Sequence, residues 1–416
     1  MATTGRSVLR IGEFRALLAA RLAGSLALAA LATIVGYQVY ELTKSPLALG
    51  GLGLVEAIPA LTLSLYGGHL ADRRDRRSIV LLTTAVLVVC SVGLAWIARP
   101  ESGLGLAAIL LVIFVSGLAS GLLQPAASAF EAQVIPLEFA AAGASWLSSV
   151  WQAGSIVGPV IGGIAYAILG PTATYGIVAA LLAIEVGCTA LIARKPVPVP
   201  ALGESMRQSI GLGIRYVMRT EAMLGSMALD LFAVLFGGAI ALLPIFATDI
   251  LHVGPVGLGV LRTAPSIGAL LVMLIATRRP PMRRAGSALL VSVAGFGLSI
   301  LVFAISTNFY LSLFALVMSG FTDGISMIIR SLILRVLSPE ELRGRIASVN
   351  WIFIGASNQL GAFESGVAAS LLGTVPSVVA GGIVTLLVVA TVAIRAPGLR
   401  HLDLARKVGT LTSAAD

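Results

Sequence analysis

The sequence predicts an all-α polytopic membrane protein with twelve transmembrane helices in two pseudo-symmetric six-helix bundles. Three observations carry this. Of the 416 residues 57% are hydrophobic and 11% charged, against about 25% charged in soluble domains, and the mean hydropathy is +0.99. Twelve apolar runs are long enough to cross ~30 Å of hydrocarbon. Finally, Gly121, Pro136, Gly158, Gly163 and Gly170 recur 203 positions later as Gly324, Pro339, Gly361, Gly366 and Gly373, the mark of a duplicated unit.

The first run, 14–40, follows Arg6 and Arg10. It exceeds the ~7–15 apolar residues of a signal-peptide core and has no cleavage site, so it reads as a span. Further spans are expected at 47–70, 78–98, 104–130, 139–168 and 172–193, and then at 222–250, 254–277, 285–305, 309–336, 345–371 and 375–395. Residues 1–193 form the first bundle and 221–395 the second. The connection 194–220 opens on Lys195-Pro196-Val197-Pro198-Val199-Pro200, and its part from Met206 to Met218 has the alternation of a short helix lying on the membrane surface. A tail, 396–416, follows the last span.

Charge sets the expected orientation. Of 28 Lys and Arg, 23 fall on the side of the amino terminus, two (Lys44, Arg99) on the other, and three (Arg21, Arg262, Arg330) inside spans. Basic residues collect on the cytoplasmic side, so both termini are expected there. The net charge of +9 is thus topological and does not indicate nucleic acid. Cys90 and Cys188 lie in apolar segments and read as packing residues, not a disulfide. His69, His252 and His401 are scattered without acidic or thiol partners, so no metal site is expected. Gly51-Leu52-Gly53 opens a span and lacks the strand and helix of a nucleotide loop, and no Gly-Lys-Ser/Thr loop occurs. No cofactor and no enzymatic activity are expected.

Two motifs carry chemistry. The first is Gly67-Gly68-His69-Leu70-Ala71-Asp72-Arg73-Arg74-Asp75-Arg76-Arg77, a charged hinge between the second and third spans. Its glycines are expected to let the preceding helix end tightly, its arginines to anchor the turn, and an acid there can meet a helix N-terminus. The second, Gly154-Ser155-Ile156-Val157-Gly158-Pro159-Val160-Ile161-Gly162-Gly163, spaces glycines for close helix approach around a bending proline.

With two six-span halves, the hinge resembles the loop signature of the major facilitator superfamily through Gly68, Leu70, Ala71, Asp72, Arg73, Arg76 and Arg77, with Asp75 where a glycine is usual. The resemblance implies that Asp72 acts at the N-terminal end of the eleventh helix, near Arg345, to hold the cytoplasmic side closed. The second motif, Gly154, Gly158, Pro159, Gly162 and Gly163, is similar to the Gly-Pro motif of the family's antiporters and implies export. The fourth span, through Leu111 to Gly117, lacks the arginine of many drug/proton antiporters, and the second-half copy of the hinge near Arg278 and Arg279 has lost its acid. The segments 229–238 and 354–366 resemble the enterobactin-exporter branch.

Ionisable residues inside spans are costly and normally face a water path or the bundle interior. Here they are Arg21, Glu56, Glu185, Asp230, Arg262, Asp323, Arg330 and Glu364. The resemblance places Asp230 and Asp323 on cavity-lining helices. Asp323, near mid-span, is the expected proton-coupling residue. Helix rise puts Arg330 about 10 Å from it, too far for a direct pair, so Asp230 is the expected partner of Arg330. A static ion pair holding the second bundle is the alternative. Glu56, Arg262 and Glu364 fall in the outer halves of their spans and are expected to form an outer gate. Arg21 is expected to snorkel to the inner interface, and Glu185 has no assigned role.

The expectation is a proton-driven exporter of small organic or amphiphilic molecules, drug- or siderophore-like, in the bacterial inner membrane. It would work as a monomer among membrane lipids by alternating access. An uptake symporter or lysophospholipid flippase would share the fold, and a non-transporting receptor would share the spans.

Overall fold

In a computed structural model the described residues are 7–197, 206–276, 284–339 and 342–404, and they are almost wholly helical with no strand among them. The long helices are α1 (Gly12–Thr43), α2 (Pro46–Ala71), α3 (Arg76–Ile97), α4 (Leu106–Val134), α5 (Ala140–Ala190), α6 (Met206–Arg219), α7 (Glu221–Gly237), α8 (Gly254–Ala276), α9 (Ala285–Ile305), α10 (Phe309–Leu337), α11 (Arg343–Leu372) and α12 (Thr374–Arg395). Ten helical stretches among the described residues are long and apolar enough to cross a membrane. One of them contains two spans, because α5 breaks at Gly170, where φ is 76°. With α11 this accounts for all twelve.

Two expectations about helix ends change. The seventh span is not one helix from 222 to 250. Beyond α7 the chain passes Gly238, a 3-10 turn (Ala239–Leu242) and a π-helical turn (Phe246–Ile250). Nor do Gly67 and Gly68 end α2, which runs on to Ala71 and caps at Asp72 in ordinary right-handed geometry. Gly67 instead serves contact: a Cβ there would lie 2.8 Å from the Gly121 carbonyl and 3.0 Å from Pro125 on α4.

The chain divides into two compact units. The first comprises Met1–Ala201 and Leu243–Thr263, the second Leu202–Leu242 and Ala264–Asp416. In the first, α5 packs on α1 and α3, and α4 packs on α2 and α3; in the second, α9 packs on α10 and α12, and α7 on α11 and α12. The amphipathic α6 is attached to the second unit by buried Val217 and by the Tyr216 hydroxyl, which donates to the Leu337 carbonyl at 2.9 Å.

The 203-residue spacing is visible as repeated contact. Gly121 lets α4 approach the Ala60 backbone on α2, and Gly324 lets α10 approach Ala269 on α8. Gly158 brings α5 onto Leu26 and Ala29 of α1, and Gly361 brings α11 onto Val234 and Leu235 of α7. The Phe139 amide donates to the Pro136 carbonyl at 2.9 Å and the Leu342 amide to Pro339 at 3.1 Å. Gly170 and Gly373 both take positive φ, 76° and 91°, where each unit folds back into its last helix. Only glycine enters that region at little cost.

Candidate functional site

In the second unit, Arg330 of α10 lies between two carboxylates. One guanidinium nitrogen pairs with Asp230 of α7, and the other is 3.8 Å from Asp323. The expected separation of Asp323 and Arg330 is therefore corrected. Side chains on a helix lean toward its N-terminus, so an arginine seven residues on reaches back along the face and shortens the gap set by helix rise. Asp230 and Arg330 are each about a tenth exposed, whereas Asp323 keeps 51% of its side chain accessible. Asp230, Asp323, Ser326, Val293 and Phe296 line a narrow cavity of about 10 Å³, the room of one water.

The first unit holds a second arginine between two acids. Arg21 Nε of α1 is 2.5 Å from Glu131 of α4, and Nη1 is 3.7 Å from Glu185 of α5. This overturns the snorkelling expected of Arg21: with two carboxylates within reach in the helix packing, its charge is met inside the protein. Gly24 leaves the space that Glu185 fills.

At the end of the first unit opposite the chain's start, polar residues that the sequence reading left aside gather. Tyr40 donates to Asp249, Lys44 is 4.0 Å from Asp249 and covers the Tyr40 ring, and Tyr166 donates to Glu41 at 2.5 Å. Tyr37 meets Tyr166 edge-on with ring centroids 5.2 Å apart. Tyr175 adds a buried hydrogen bond to Gln38 at 2.6 Å. The only sequence signal for this cluster was four hydrogen-bonding side chains, at 37, 38, 40 and 41, bunched on the last turns of the first span.

Of the expected gate residues, Glu56 and Arg262 both belong to the first unit. Their charged groups are not within 4.0 Å of each other. Glu364, on α11, has no ion pair within its own unit among the described residues.

The charged hinge folds on itself. Arg76 donates to the Ala71 and Ala129 carbonyls at 3.0 and 3.2 Å and is 3.4 Å from Asp72. Arg77 donates to the Ala190 carbonyl at 2.6 Å. These bonds tie the hinge to the ends of α4 and α5. Asp75 is the N-cap of α3, accepting from the Arg77 amide at 3.2 Å and the Ser78 hydroxyl at 2.6 Å, which satisfies donors the helix leaves open. Gly68 and Arg73 have no such close contact, Gly68 facing open space and Arg73 being exposed. The second-half hinge, with Arg278, Arg279 and Arg283, lies outside the described residues.

Gly154, Gly158 and Gly162 seat α5 on Ser25, Ala29 and Ala30 of α1, and Gly163 faces the Pro255 backbone at the start of α8. Gly259 of α8 meets the Pro159 carbonyl, and the Thr263 hydroxyl donates to the Ile156 carbonyl at 2.7 Å. The motif is thus a two-sided seam within the first unit. Residues 16–362 match the family model described as Major Facilitator Superfamily.

The chain belongs to the major facilitator superfamily. It is a multi-pass membrane protein, and its family and relatives are transporters, not enzymes. It is 29% identical over 363 residues to the enterobactin exporter EntS of Citrobacter koseri, covering 86% of this chain and 84% of that protein. It is 27% identical over 391 residues to EntS of Escherichia coli K12, covering 93% and 92%. Among solved structures it resembles a POT family transporter in complex with 5-aminolevulinic acid, with a TM-score of 0.72, 13% identity and coverage of 93% and 96%. It also resembles the nucleoside transporter NupG, with a TM-score of 0.69, 16% identity and coverage of 94% and 98%. Both structures share this fold at low identity.

Proposed function

We propose that this chain is a proton-driven exporter of siderophore-like or related small amphiphilic molecules, acting as a monomer in the bacterial inner membrane with both termini cytoplasmic. One observation carries the proton reading: Arg330 stands between buried Asp230 and accessible Asp323. One cation for two acids leaves a carboxyl that can take up or give up a proton without leaving the site. Export is supported by the names of the relatives and by the Gly154–Gly163 seam. The excess of basic residues on one side supports the orientation.

In this reading Asp323 exchanges protons with water, Arg330 and Asp230 register its charge, and cargo and proton occupy the protein in alternation. Asp72, with Arg73, Arg76 and Arg77, serves the inner gate together with the start of the eleventh helix. Glu56 and Arg262 serve the outer one, with Glu364 the alternative partner for Arg262.

The test uses inverted membrane vesicles with an acid interior and enterobactin as the probe. Wild-type protein should drive uptake into the vesicles, and Asp323→Asn should lose the pH-driven component. Uptake only under the reverse gradient would point to an importer of the same fold, and equal pH-driven uptake by Asp323→Asn would refute the coupling assignment.

A further inference from the structure

We infer that Glu185, held between Arg21 and Gly24 in the first unit, is a second proton-binding site. Its side chain is 4% exposed, yet the nearest cation is 3.7 Å away, beyond hydrogen-bond distance. Arg21 is committed elsewhere, its Nε only 2.5 Å from Glu131. A buried acid, Glu185, and a partly exposed one, Glu131, therefore share one cation. A buried carboxylate without a hydrogen-bond donor is costly, and a proton removes that cost. In the arrangement seen here Glu131 carries the negative charge that balances Arg21, and Glu185 carries a proton. When Arg21 turns from Glu131 to Glu185, Glu185 releases its proton to water and becomes the charged partner.

The surroundings offer no other partner. On α1, Arg15 is exposed and Glu13 is tied to Lys195 at 2.6 Å. On α3, Arg76 and Arg77 donate to the Ala129 and Ala190 carbonyls, and Cys90 is a buried thiol. On α5 itself the one titratable neighbour a turn away is Cys188, half-buried and free. Among the described residues Arg21 is the one cation within 4.0 Å of the Glu185 carboxyl. Gly24 completes the site, since any side chain at that position would overlap the Glu185 carboxyl.

The second unit has the same inventory, one arginine and two acids, at the candidate coupling site. The use of the Glu185 proton in transport rests on the proton-driven reading; its binding does not. The experiment measures binding alone. Infrared difference spectra between acidic and alkaline pH are recorded on the full-length protein in lipid nanodiscs, reading the carbonyl stretch of protonated carboxyls. Wild-type protein should show a band that Glu185→Gln removes and Asp323→Asn leaves in place. Glu131→Gln should shift loss of that band to lower pH, because Arg21 is then free to pair with Glu185. Identical spectra for wild type and Glu185→Gln would overturn the inference, as would a Glu185 band unmoved in Glu131→Gln. If Glu185→Gln does not fold, Glu185→Asp should displace the band, and an undisplaced band counts against the site. No cargo is added, so failure here is distinguishable from failure of the export reading.

Discussion

Arg330 contacts Asp230 with one guanidinium nitrogen while the other stands 3.8 Å from Asp323, so a single side chain ties α7 to α10 and also meets an acid two turns back on its own helix. Lysine cannot reproduce this fork, because its charge sits at one point. Arg330→Lys is expected to keep the fold and lose proton coupling, seen as cargo uptake that no longer responds to an imposed pH gradient. Arg330→Ala strands buried Asp230, and breaking a buried pair costs about 3–5 kcal/mol. A clear fall in the unfolding temperature in detergent, rescued in part by Asp230→Asn, is the expected result.

Asp75 caps α3 through its carboxylate. Replacing it with alanine should cost about 1 kcal/mol and with glycine only a few tenths. Thermal unfolding of Asp75→Ala and Asp75→Gly checks the order. Glycine worse than alanine would mean that Asp75 matters for something other than its cap.

The seam of α5 on α1 sets a size limit. A Cβ at Gly158 would already lie 2.7 Å from the Ala29 Cβ, so Gly158→Val should separate the helices and abolish recovery of folded protein from the membrane. Gly176, further along α5, has open space where a Cβ would go. There Ala is expected to be tolerated, and to gain about 0.5–1 kcal/mol from helix preference. Fluorescence size-exclusion profiles of the two variants make the comparison.

At the far end of the first unit, Tyr40→Phe removes the donor that ties α1 to Asp249 in the 243–250 segment. A hydrogen bond to a charged group is worth about 1.5–3 kcal/mol, and each 1.4 kcal/mol is about tenfold in population. In a background without Cys90 and Cys188, a cysteine at buried Ala247 should therefore be modified about tenfold faster or more in the Tyr40→Phe variant. An unchanged rate would show that this cluster does not hold the 243–250 segment in place.

The spans were legible because hydropathy is a local property: each run declares itself within about 20 residues. The duplication was legible for a similar reason, since glycines that serve close contact or positive φ have few substitutes. The polar pairings were harder. Arg21 with Glu131 and Glu185 joins three helices, and nothing near any one of these residues in sequence names the other two. Glu41, Glu131 and Asp249 sit at helix ends, where acids look like loop boundaries. Asp323 and Arg330 misled differently: helix rise measures the backbone, and the error came from omitting the reach and lean of an arginine side chain. The breaks at Gly238 and Phe246–Ile250 were hidden because an unwound turn can be as apolar as the helix it interrupts.

The two arginine sites also bear on how the halves have diverged. In the first unit the cation comes from the first span and the acid from the fourth, as Arg21 and Glu131; in the second the seventh supplies the acid and the tenth the cation, as Asp230 and Arg330. The signs are exchanged although the glycine contacts and turns repeat. Because each charge is neutralised inside its own unit, its polarity is free to invert without disturbing the backbone. What the duplicated gene handed down was steric, a set of places where helices touch. The electrostatics differ between the copies, which leaves the two free to take up different tasks on the same scaffold.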